Sequence, residues 1–332
     1  MEKDKSVILV DGHAVLYSSF WATMPVNYFS ASNKEAVMKD VMQTDGQFTN
    51  GAYSMIRILL NLVSDYEPSH IAVTWDGYKK TKREETYSAY KGNRPPTPKP
   101  MFGQAEIVKD FCRAAGIAQF EVEGYEADDI LYTLANKFKE SADVYILTKD
   151  QDLLQACDVG VNVWLMTKRA SGLKKKYPMG SFSNHPNIFE FTPETVEAEF
   201  GVRPDQFPDY KALVGDSVDN IPGVKGVGDS AAVPLVQYFS TLENIYAVLE
   251  DDELNAKLSQ IKRLPVKKLM EGKEDAFLSR ELARLIEIDD FDAELDDLKP
   301  ALDLDDMMKF LRRWKFKSLF KAVETVVEIV TS

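Results

Sequence analysis

The sequence predicts an α/β domain, with a parallel sheet flanked by helices, followed by a mostly α-helical domain. Short apolar runs typical of buried strands lie near residues 7–11, 70–76, 143–148 and 161–166. They alternate with helical patterns near 51–65, 101–115 and 126–140. Strands that alternate with helices favour a parallel sheet. From about residue 193 the strand patterns stop, which predicts domains at 1–192 and 193–332.

The helix predicted at 126–140 has the clearest pattern in the first domain. Its apolar residues recur at three- and four-residue steps and form one stripe of Ala127, Ile130, Leu131, Leu134, Ala135 and Phe138. Helical patterns in the second domain lie near 193–200, 205–214, 229–239, 241–249, 274–287 and 303–329. Loops are indicated at 95–98, which holds three prolines, and at Lys174-Lys175-Lys176.

The composition is that of an ordinary globular protein, with 332 residues, 45% hydrophobic and 28% charged. No apolar stretch reaches the roughly 18 to 20 residues of a membrane span, and the N-terminus lacks the apolar core of a signal peptide. We therefore expect a cytoplasmic monomer without a membrane partner. Cys112 and Cys157 are expected to be buried apolar residues and not a disulfide or metal pair. The three histidines show no zinc-ligand spacing.

Seven carboxylates follow the predicted strands or open the predicted helix at 126–140. They are Asp11, Asp76, Glu126, Asp128, Asp129, Asp150 and Asp152. Ligands of a parallel sheet collect at the carboxyl ends of its strands, so we expect these side chains to meet in one small volume. An acid after a strand often only caps a helix, but capping does not explain the whole set. Because crowded carboxylates repel each other, the cluster predicts a site for Mg²⁺ or Mn²⁺, which prefer oxygen ligands.

A second motif lies at residues 215–228. Asp216 and Asp219 are three apart on one face of a turn, and a hairpin containing Gly223, Gly226 and Gly228 follows. Glycine lets the backbone approach a ligand closely, and the amide groups at the start of the next helix suit a phosphate. A plain helix–helix turn is the alternative, but the coupling of the acid pair to the hairpin favours a binding site.

The distribution of charge matters more than its sum. The formal charge of −13 argues against a nucleic-acid partner, because phosphate binding usually leaves a basic footprint. Two bound divalent ions would reduce it, and the acids near 289–297 are most simply a solvated face. Residues 79–99, directly after Asp76, contain seven Lys or Arg against two Glu. This stretch is a candidate for backbone contacts to DNA.

These motifs resemble the 5'-3' exonuclease and flap endonuclease family, whose members include the nuclease domain of bacterial DNA polymerase I and stand-alone phage and bacterial enzymes. The resemblance covers essentially the whole chain and rests on Leu9-Val10-Asp11-Gly12, Trp75-Asp76, Tyr90-Lys91-Gly92-Asn93-Arg94, and residues 124–129, 148–152 and 216–228. It implies a PIN-like nuclease domain at 1–192 with a helical arch near 79–105. It also implies a DNA-binding domain at 193–332, with a helix-three-turn-helix motif around the hairpin.

The chain departs from the family pattern directly after the hairpin. The family often has Glu-Lys-Thr-Ala where this chain has Asp229-Ser230-Ala231-Ala232, and Pro234 falls inside the expected helix. Proline costs about 3 kcal/mol in a helix interior. These departures are expected to affect the affinity of this helix for duplex DNA.

The resemblance implies a structure-specific 5' nuclease that removes 5' flaps or RNA primers in replication and repair by a two-metal mechanism. One Mg²⁺ would be held by Asp11, Asp76, Glu126 and Asp128, and the second by Asp150, Asp152, Asp216 and Asp219. Asp129 would bridge to the ions through water, or would support the ligands without binding an ion itself. Two ions about 4 Å apart would generate hydroxide and stabilise the leaving oxygen, and Mn²⁺ could substitute. The resemblance also implies a K⁺ ion held by the backbone of 223–228.

The expected substrates are 5' flaps, nicked or gapped duplexes, and RNA primers. Lys91 and Arg94, which would share one face of a helix, are expected to stabilise the scissile phosphate, and Tyr90 to stack on an unpaired base. Arg83, Gly223, Lys225, Gly226 and Gly228 are the expected DNA contacts. The alternative is a non-catalytic protein that binds branched DNA, although such a protein would be expected to have lost several carboxylates. The balance between exonuclease and flap-cutting activity stays open.

Overall fold

The computed structural model describes residues 5–178, 185–251, 253 and 264–331. Within these residues the strands are β1 (Ser6–Asp11), β2 (Gln43–Thr44), β3 (Gln47–Phe48), β4 (His70–Asp76), β5 (Ala118–Val122), β6 (Asp143–Thr148), β7 (Val161–Met166) and β8 (Ile188–Phe191). Six of them form one sheet in the order β5-β4-β1-β6-β7-β8. The four predicted strands are confirmed, and the sequence patterns did not indicate β5 or β8.

The register of the sheet brings the predicted carboxylates to one edge. The strand β1 pairs in parallel with β4 on one side and with β6 on the other. Asp11 is opposite Thr74, and Val10 is opposite Leu147. The carboxyl ends of the three strands therefore lie side by side. Only β8, at the edge, is antiparallel to its neighbour.

Helices cover both faces of this sheet and form the second domain. They are α1 (Gly12–Ala22), α2 (Lys34–Met38), α3 (Asn50–Tyr66), α4 (Lys82–Thr86), α5 (Gln104–Ala114), α6 (Ala127–Phe138), α7 (Ala170–Lys176), α8 (Pro193–Phe200), α9 (Phe207–Val214), α10 (Asp229–Phe239), α11 (Leu242–Glu250), α12 (Val266–Glu271), α13 (Lys273–Ala283), α14 (Leu304–Arg313) and α15 (Phe320–Thr331). None of these helices is long and apolar enough to cross a membrane.

Alternation along β1 builds two cores, because successive side chains of a strand face opposite sides. Val7 and Leu9 pack in the core that contains the apolar stripe of α6 and the helices of the second domain. Ile8 and Val10 pack in the core formed with α1, α3, α5 and the C-terminal helices. A strand buried on both faces has a continuous apolar run, which is the pattern in the sequence. Cys112 and Cys157 are free and buried, as predicted.

The expected helical arch near 79–105 is not formed in this structure. The only α-helix between residues 79 and 103 is α4, a single five-residue helix. Residues 88–93 form turns, and Lys91 has a positive φ of 53°, so Lys91 and Arg94 do not share a helix face. The prolines that follow Arg94 oppose a helix, since each lacks an amide hydrogen and restricts the residue before it.

One further local expectation was wrong, and another was confirmed. The segment Lys174-Lys175-Lys176, expected as a loop, forms the last turn of α7. The helix α10 continues through Pro234 and does not end there. Proline at this position leaves the carbonyl of Ser230 without its helical hydrogen bond, and burial of Ala232, Leu235 and Val236 offsets that loss.

Candidate active site

Asp11 ends β1 and caps the helix that follows. Its Oδ1 accepts a hydrogen bond from the Ala14 amide at 3.0 Å, and its Oδ2 accepts one from the Thr148 hydroxyl at 2.8 Å. Burial raises the pKa of Asp11 to about 6, and the charges of Asp76 and Asp150 add to the rise. The three acids therefore act on each other, as expected for the ends of adjacent parallel strands.

Asp76 ends β4 and is held from two sides. Its Oδ1 accepts a hydrogen bond from the Ala127 amide at 2.9 Å, and its Oδ2 lies 3.2 Å from Nδ1 of His13. Burial alone would raise the pKa of Asp76, but the hydrogen bond and charge of His13 lower it overall. This carboxylate is therefore the more readily ionised member of the strand-end group.

Asp150 and Asp152 lie in the tight turn after β6. The Thr148 hydroxyl accepts a hydrogen bond from the Asp150 amide at 3.0 Å, and Asp150 Oδ1 accepts one from the Asp152 amide at 2.8 Å. Thr148 thus links this turn to Asp11. Burial and the neighbouring charge of Asp152 raise the pKa of Asp150 to about 6.

The acidic start of α6 supplies the next three carboxylates. Glu126 Oε2 accepts a hydrogen bond from the Tyr90 hydroxyl at 3.2 Å and lies 2.9 Å from the Lys91 ammonium. Asp128 is only 3.8 Å from the Arg83 guanidinium. Burial raises the pKa of Asp128 well above its usual range against the opposing charge of Arg83, and the charges of Asp129 and Glu126 add to the rise.

Asp129 forms a bidentate ion pair with Arg83. Arg83 Nη2 donates to Asp129 Oδ1 at 2.7 Å and Nη1 to Oδ2 at 2.8 Å. Of the remaining guanidinium donors, two reach the carbonyls of Leu282 and Arg284 at 2.9 and 2.8 Å, and one reaches Glu126 Oε2 at 3.1 Å. The Arg83 side chain is 4% exposed. The expected contact of Arg83 with DNA is therefore wrong for this arrangement, because no donor faces solvent.

Lys211 is a site residue that the sequence reasoning missed. Its ammonium lies 2.8 Å from Asp152 and donates to Asp216 Oδ2 at 2.5 Å. Burial would lower the pKa of Lys211, but Asp152 and Asp216 raise it overall. A lysine on α9, five residues before Asp216, was the available signal. It could not be interpreted without knowing that Asp152 lies opposite.

The turn that carries Lys91 is docked on the turn before the hairpin. Arg94 Nη2 donates to Asp219 Oδ1 at 2.5 Å, and the Lys91 amide donates to the Asp219 carbonyl at 2.9 Å. Tyr90 is 5% exposed and its ring packs in a small cluster with Ile221 and Leu282. The expected stacking of Tyr90 on a base is wrong for this arrangement, because the ring is covered.

The hairpin itself brings two glycines into backbone contact. Gly223 has a φ of +60°, and a Cβ there would lie 2.4 Å from the amide nitrogen of Gly215. Gly223 is buried, whereas Lys225, Gly226 and Gly228 are exposed. The last three residues are therefore accessible to a large partner, and Gly223 has a structural reason to be glycine.

The donor chemistry of the strand-end group suits a hard divalent cation, since all the candidate ligands are oxygens. In this arrangement, however, no three His, Cys, Asp or Glu side chains within the described ranges converge as a metal site. The acids are instead paired with the protein's own cations, as in Glu126 with Lys91, Asp216 with Lys211 and Asp219 with Arg94. Metal binding would require these side chains to turn away from their partners.

Family comparisons agree with this fold. Residues 6–201 match the model of the 5'-3' exonuclease N-terminal resolvase-like domain, and residues 202–304 match that of the 5'-3' exonuclease C-terminal SAM fold. The chain belongs to the 5'-3' exonuclease family.

Two curated relatives differ in length. The chain is 33% identical to the 5'-3' exonuclease of Aquifex aeolicus over 324 residues, which cover 97% of this chain and 96% of the relative. It is 32% identical to the DNA polymerase I of Caldicellulosiruptor bescii, covering 95% of this chain but only 33% of that protein. The resemblance of the sequence motifs to this family is confirmed.

Solved structures share the fold at low identity. The T5 5'-exonuclease with bound zinc ions superposes with a TM-score of 0.61 at 18% identity, covering 98% of this chain and all of that one. The catalytic core of Rad2 in complex with a DNA substrate gives a TM-score of 0.55 at 17% identity, covering 98% and 93%. The α/β nuclease domain followed by a helical domain is thus the fold of the family, as predicted.

Proposed function

We propose that this protein is a structure-specific 5' nuclease that hydrolyses DNA phosphodiesters with the help of divalent cations. One observation carries the proposal: carboxylates from the ends of three adjacent parallel strands lie at one edge of the sheet, beside the basic turn that holds Lys91 and Arg94. Acidic groups that attract cations and basic groups that attract phosphate are the two parts that such hydrolysis requires.

The first cation site is assigned to Asp11, Asp76, Glu126 and Asp128. The second is assigned to Asp150, Asp152, Asp216 and Asp219. Bound Mg²⁺ ions would supply a hydroxide nucleophile and stabilise the leaving oxygen. Asp129 is assigned to holding Arg83 and not to binding a metal ion, because both of its oxygens accept hydrogen bonds from the guanidinium.

Lys91 and Arg94 are assigned to the scissile phosphate. Each is held by a carboxylate here, Lys91 by Glu126 and Arg94 by Asp219. When a cation occupies those carboxylates, the ammonium and guanidinium groups become available for phosphate oxygens. Arg94, with a side chain 45% exposed, is the more accessible of the two. Tyr90 is assigned to positioning Glu126 through its hydroxyl.

The substrate is assigned as DNA with a free 5' end, such as a 5' flap, with RNA primers as a related substrate. Backbone contacts carry no base information, so recognition would depend on the shape of the branch. Exposed Lys225, Gly226 and Gly228 would contact the duplex. A K⁺ ion on the hairpin backbone remains a prediction.

A cleavage assay tests the proposal. The protein is incubated with a 5'-flap duplex and with a 3'-labelled blunt duplex, first with Mg²⁺ and then with Ca²⁺. We expect Mg²⁺-dependent products with 5'-phosphate and 3'-hydroxyl ends, and loss of activity in Asp150→Asn. Flap binding without cleavage at saturating Mg²⁺ or Mn²⁺ would instead indicate the non-catalytic branched-DNA-binding protein. Full activity of Asp150→Asn at saturating Mg²⁺ would remove Asp150 from the ligand set.

A further inference from the structure

An acid-free basic run at the edge of the sheet lies outside the proposed site. Residues 167–178 contain five Lys or Arg and no Asp or Glu, in a chain whose net charge is −13. We define residues 168–176 as the α7 basic segment. The site described above does not use it, and basic runs are most often only solvated, so its position and its packing decide what it does.

The sheet register places the segment beside the proposed site. Thr148 is opposite Leu165 in the parallel pair of β6 and β7. Asp150 follows Thr148 by two residues, and Lys168 follows Leu165 by three, so both chains leave the sheet at the same edge. Adjacent strands are about 4.8 Å apart. A substrate that reaches Asp150 therefore passes close to the start of the segment.

The segment is ordered by its packing and by one acid. Ala170 and Leu173 are buried in the core beside β8. Glu199, on α8, accepts hydrogen bonds from Lys176 at 2.8 Å and Arg169 at 2.5 Å. Its side chain is only 8% exposed. Burial would raise the pKa of Glu199, but its hydrogen bonds with these cations lower it. Glu199 thus fixes the inner side of the segment, while its basic outer face stays exposed.

Lys168 and Lys175 lie on that outer face. Both side chains are exposed, and neither takes part in the ion pairs that hold the segment. Tyr177, which follows the segment, is half-buried and donates a hydrogen bond from its hydroxyl to Glu199 at 3.2 Å. Single strands are usually bound through stacking on exposed rings, and the described residues 167–178 present no exposed ring. Its chemistry fits the phosphates of a duplex, which are recognised without base contacts.

We propose that the α7 basic segment binds the backbone of duplex DNA, with Lys168 and Lys175 as its phosphate contacts. This inference rests on the proposed nuclease function for its substrate. It adds a contact surface separate from the glycine hairpin and from the turn that carries Lys91. It also explains how a strongly acidic chain holds a polyanion, because a basic surface adjoins the acidic edge.

The test compares the double variant Lys168→Ala/Lys175→Ala with two matched variants. Lys317→Ala/Lys321→Ala removes the same charge from two exposed positions, one in the short turn before the C-terminal helix and one in its first turn. That helix packs on α3. Lys168→Arg/Lys175→Arg keeps the charge of the segment. Binding of a fluorescent blunt duplex and of a fluorescent single strand is measured by anisotropy in Ca²⁺ at about 50 to 200 mM salt. Turnover of a 5'-flap duplex is measured separately in Mg²⁺.

We expect the alanine pair in the segment to weaken duplex binding about tenfold or more at the lowest salt and to reduce the salt slope by about 2, since each lost phosphate contact removes about 0.9 from it. Single-strand affinity and kcat should stay near the wild-type values, KM should rise, and the arginine pair should restore binding. Wild-type duplex affinity in the alanine pair would overturn the inference, as would an equal loss in the Lys317/Lys321 pair or a loss confined to the single strand. Absence of cleavage by the wild type would overturn the proposed function alone, because the binding comparison does not depend on turnover.

Discussion

Arg83 and Asp129 form a buried bidentate ion pair that joins the basic stretch after β4 to the start of α6 and to the end of α13. Both side chains are almost fully covered, at 4% and 1% exposure. The same guanidinium holds the carbonyls of Leu282 and Arg284, and Asp129 also accepts the Ile286 amide at 2.8 Å. Three parts of the chain that are distant in sequence therefore depend on one pair of charges.

Removing one member of this pair should destabilise the protein strongly. Arg83→Ala leaves Asp129 buried without its counter-charge, which costs about 3–5 kcal/mol of unfolding free energy. In a double-mutant cycle, Arg83→Ala/Asp129→Ala should therefore be much less destabilised than the sum of the two single variants. Denaturant unfolding measures all four proteins.

The exposed pair Lys79 and Glu123 is the control for this cycle. Their side chains are 69% and 65% exposed, so their coupling energy should stay below about 1 kcal/mol. A coupling between Arg83 and Asp129 no larger than this control would show that their burial does not matter.

The Lys91→Ala variant should lose turnover much more than substrate affinity. A cationic group aimed at the scissile phosphate acts mainly on the transition state, and its removal should lower kcat by about 10² to 10³. The dissociation constant for a 5'-flap duplex, measured in Ca²⁺, should change little. Lys80→Ala is the matched variant because Lys80 is an exposed lysine of the same basic stretch, and it should alter affinity and not kcat. Equal losses of kcat and affinity in Lys91→Ala would refute its catalytic role.

The pH dependence of stability should report the burial of Asp11 beside the charges of Asp76 and Asp150. Asp11 has a pKa of about 6 in the folded protein against 3.8 as its ordinary value. The folded state therefore holds its proton more tightly, so the stabilisation present below pH 3.8 is lost as pH rises through 6. The shift of about two pKa units corresponds to about 3 kcal/mol.

The variant Asp11→Asn tests this sign, since it removes the charge and keeps the shape. In the presence of a chelator, Asn at position 11 should stabilise the protein relative to wild type at pH 7.5 and much less at pH 4.5. Thermal or denaturant unfolding at both pH values measures the difference. Mg²⁺ should reduce the difference in stability between Asp11→Asn and wild type at pH 7.5, because a bound cation offsets the negative charge that the substitution removes. A stability difference between Asp11→Asn and wild type that grows toward low pH would contradict the raised pKa of Asp11.

The Lys211→Met variant should make stability depend on divalent cations. Lys211 lies between Asp152 and Asp216, so its loss leaves two acids close together without a counter-charge, at a cost of about 3–5 kcal/mol in chelator. Saturating Mg²⁺ should recover much of this loss if the two acids bind a cation. The control is Lys139→Met, whose partner Asp158 is exposed and whose stability should not respond to Mg²⁺. No recovery in Lys211→Met would remove Asp152 and Asp216 from the proposed second cation site.

The glycine hairpin offers a matched pair of substitutions. At Gly223 a Cβ would lie 2.4 Å from the Gly215 amide nitrogen and would also occupy a positive φ, whereas at Gly228 a Cβ meets nothing within 4 Å. Gly223→Ala should cost more than about 2 kcal/mol of unfolding free energy through this clash and strain. Gly228→Ala should be nearly neutral or slightly stabilising, because its unfolded chain loses freedom. Equal stabilities would indicate that the hairpin backbone can relax.

Sequence patterns predicted those strands and acids that have strong local signals. β1, β4, β6 and β7 were predicted because each is mostly buried and contains at least four apolar residues. β5 is half-buried throughout and β8 has only four residues. Neither strand therefore shows a clear alternation of apolar and polar residues. The helix expected around Lys91 failed because local spacing cannot show that the turn is held by Asp219 and Asn220 from the other domain.

The sequence by itself determined the α/β class, the family and the set of acidic positions, because these depend on residue type and on spacing within single elements. Only the tertiary structure decided which cation faces each acid, that Arg83 is buried against Asp129, and that Lys211 lies between Asp152 and Asp216. It also placed the basic residues of α7 at the same sheet edge as Asp150. The physical reason is that ion pairing and burial depend on distances between groups far apart in the chain, and those distances are set by packing.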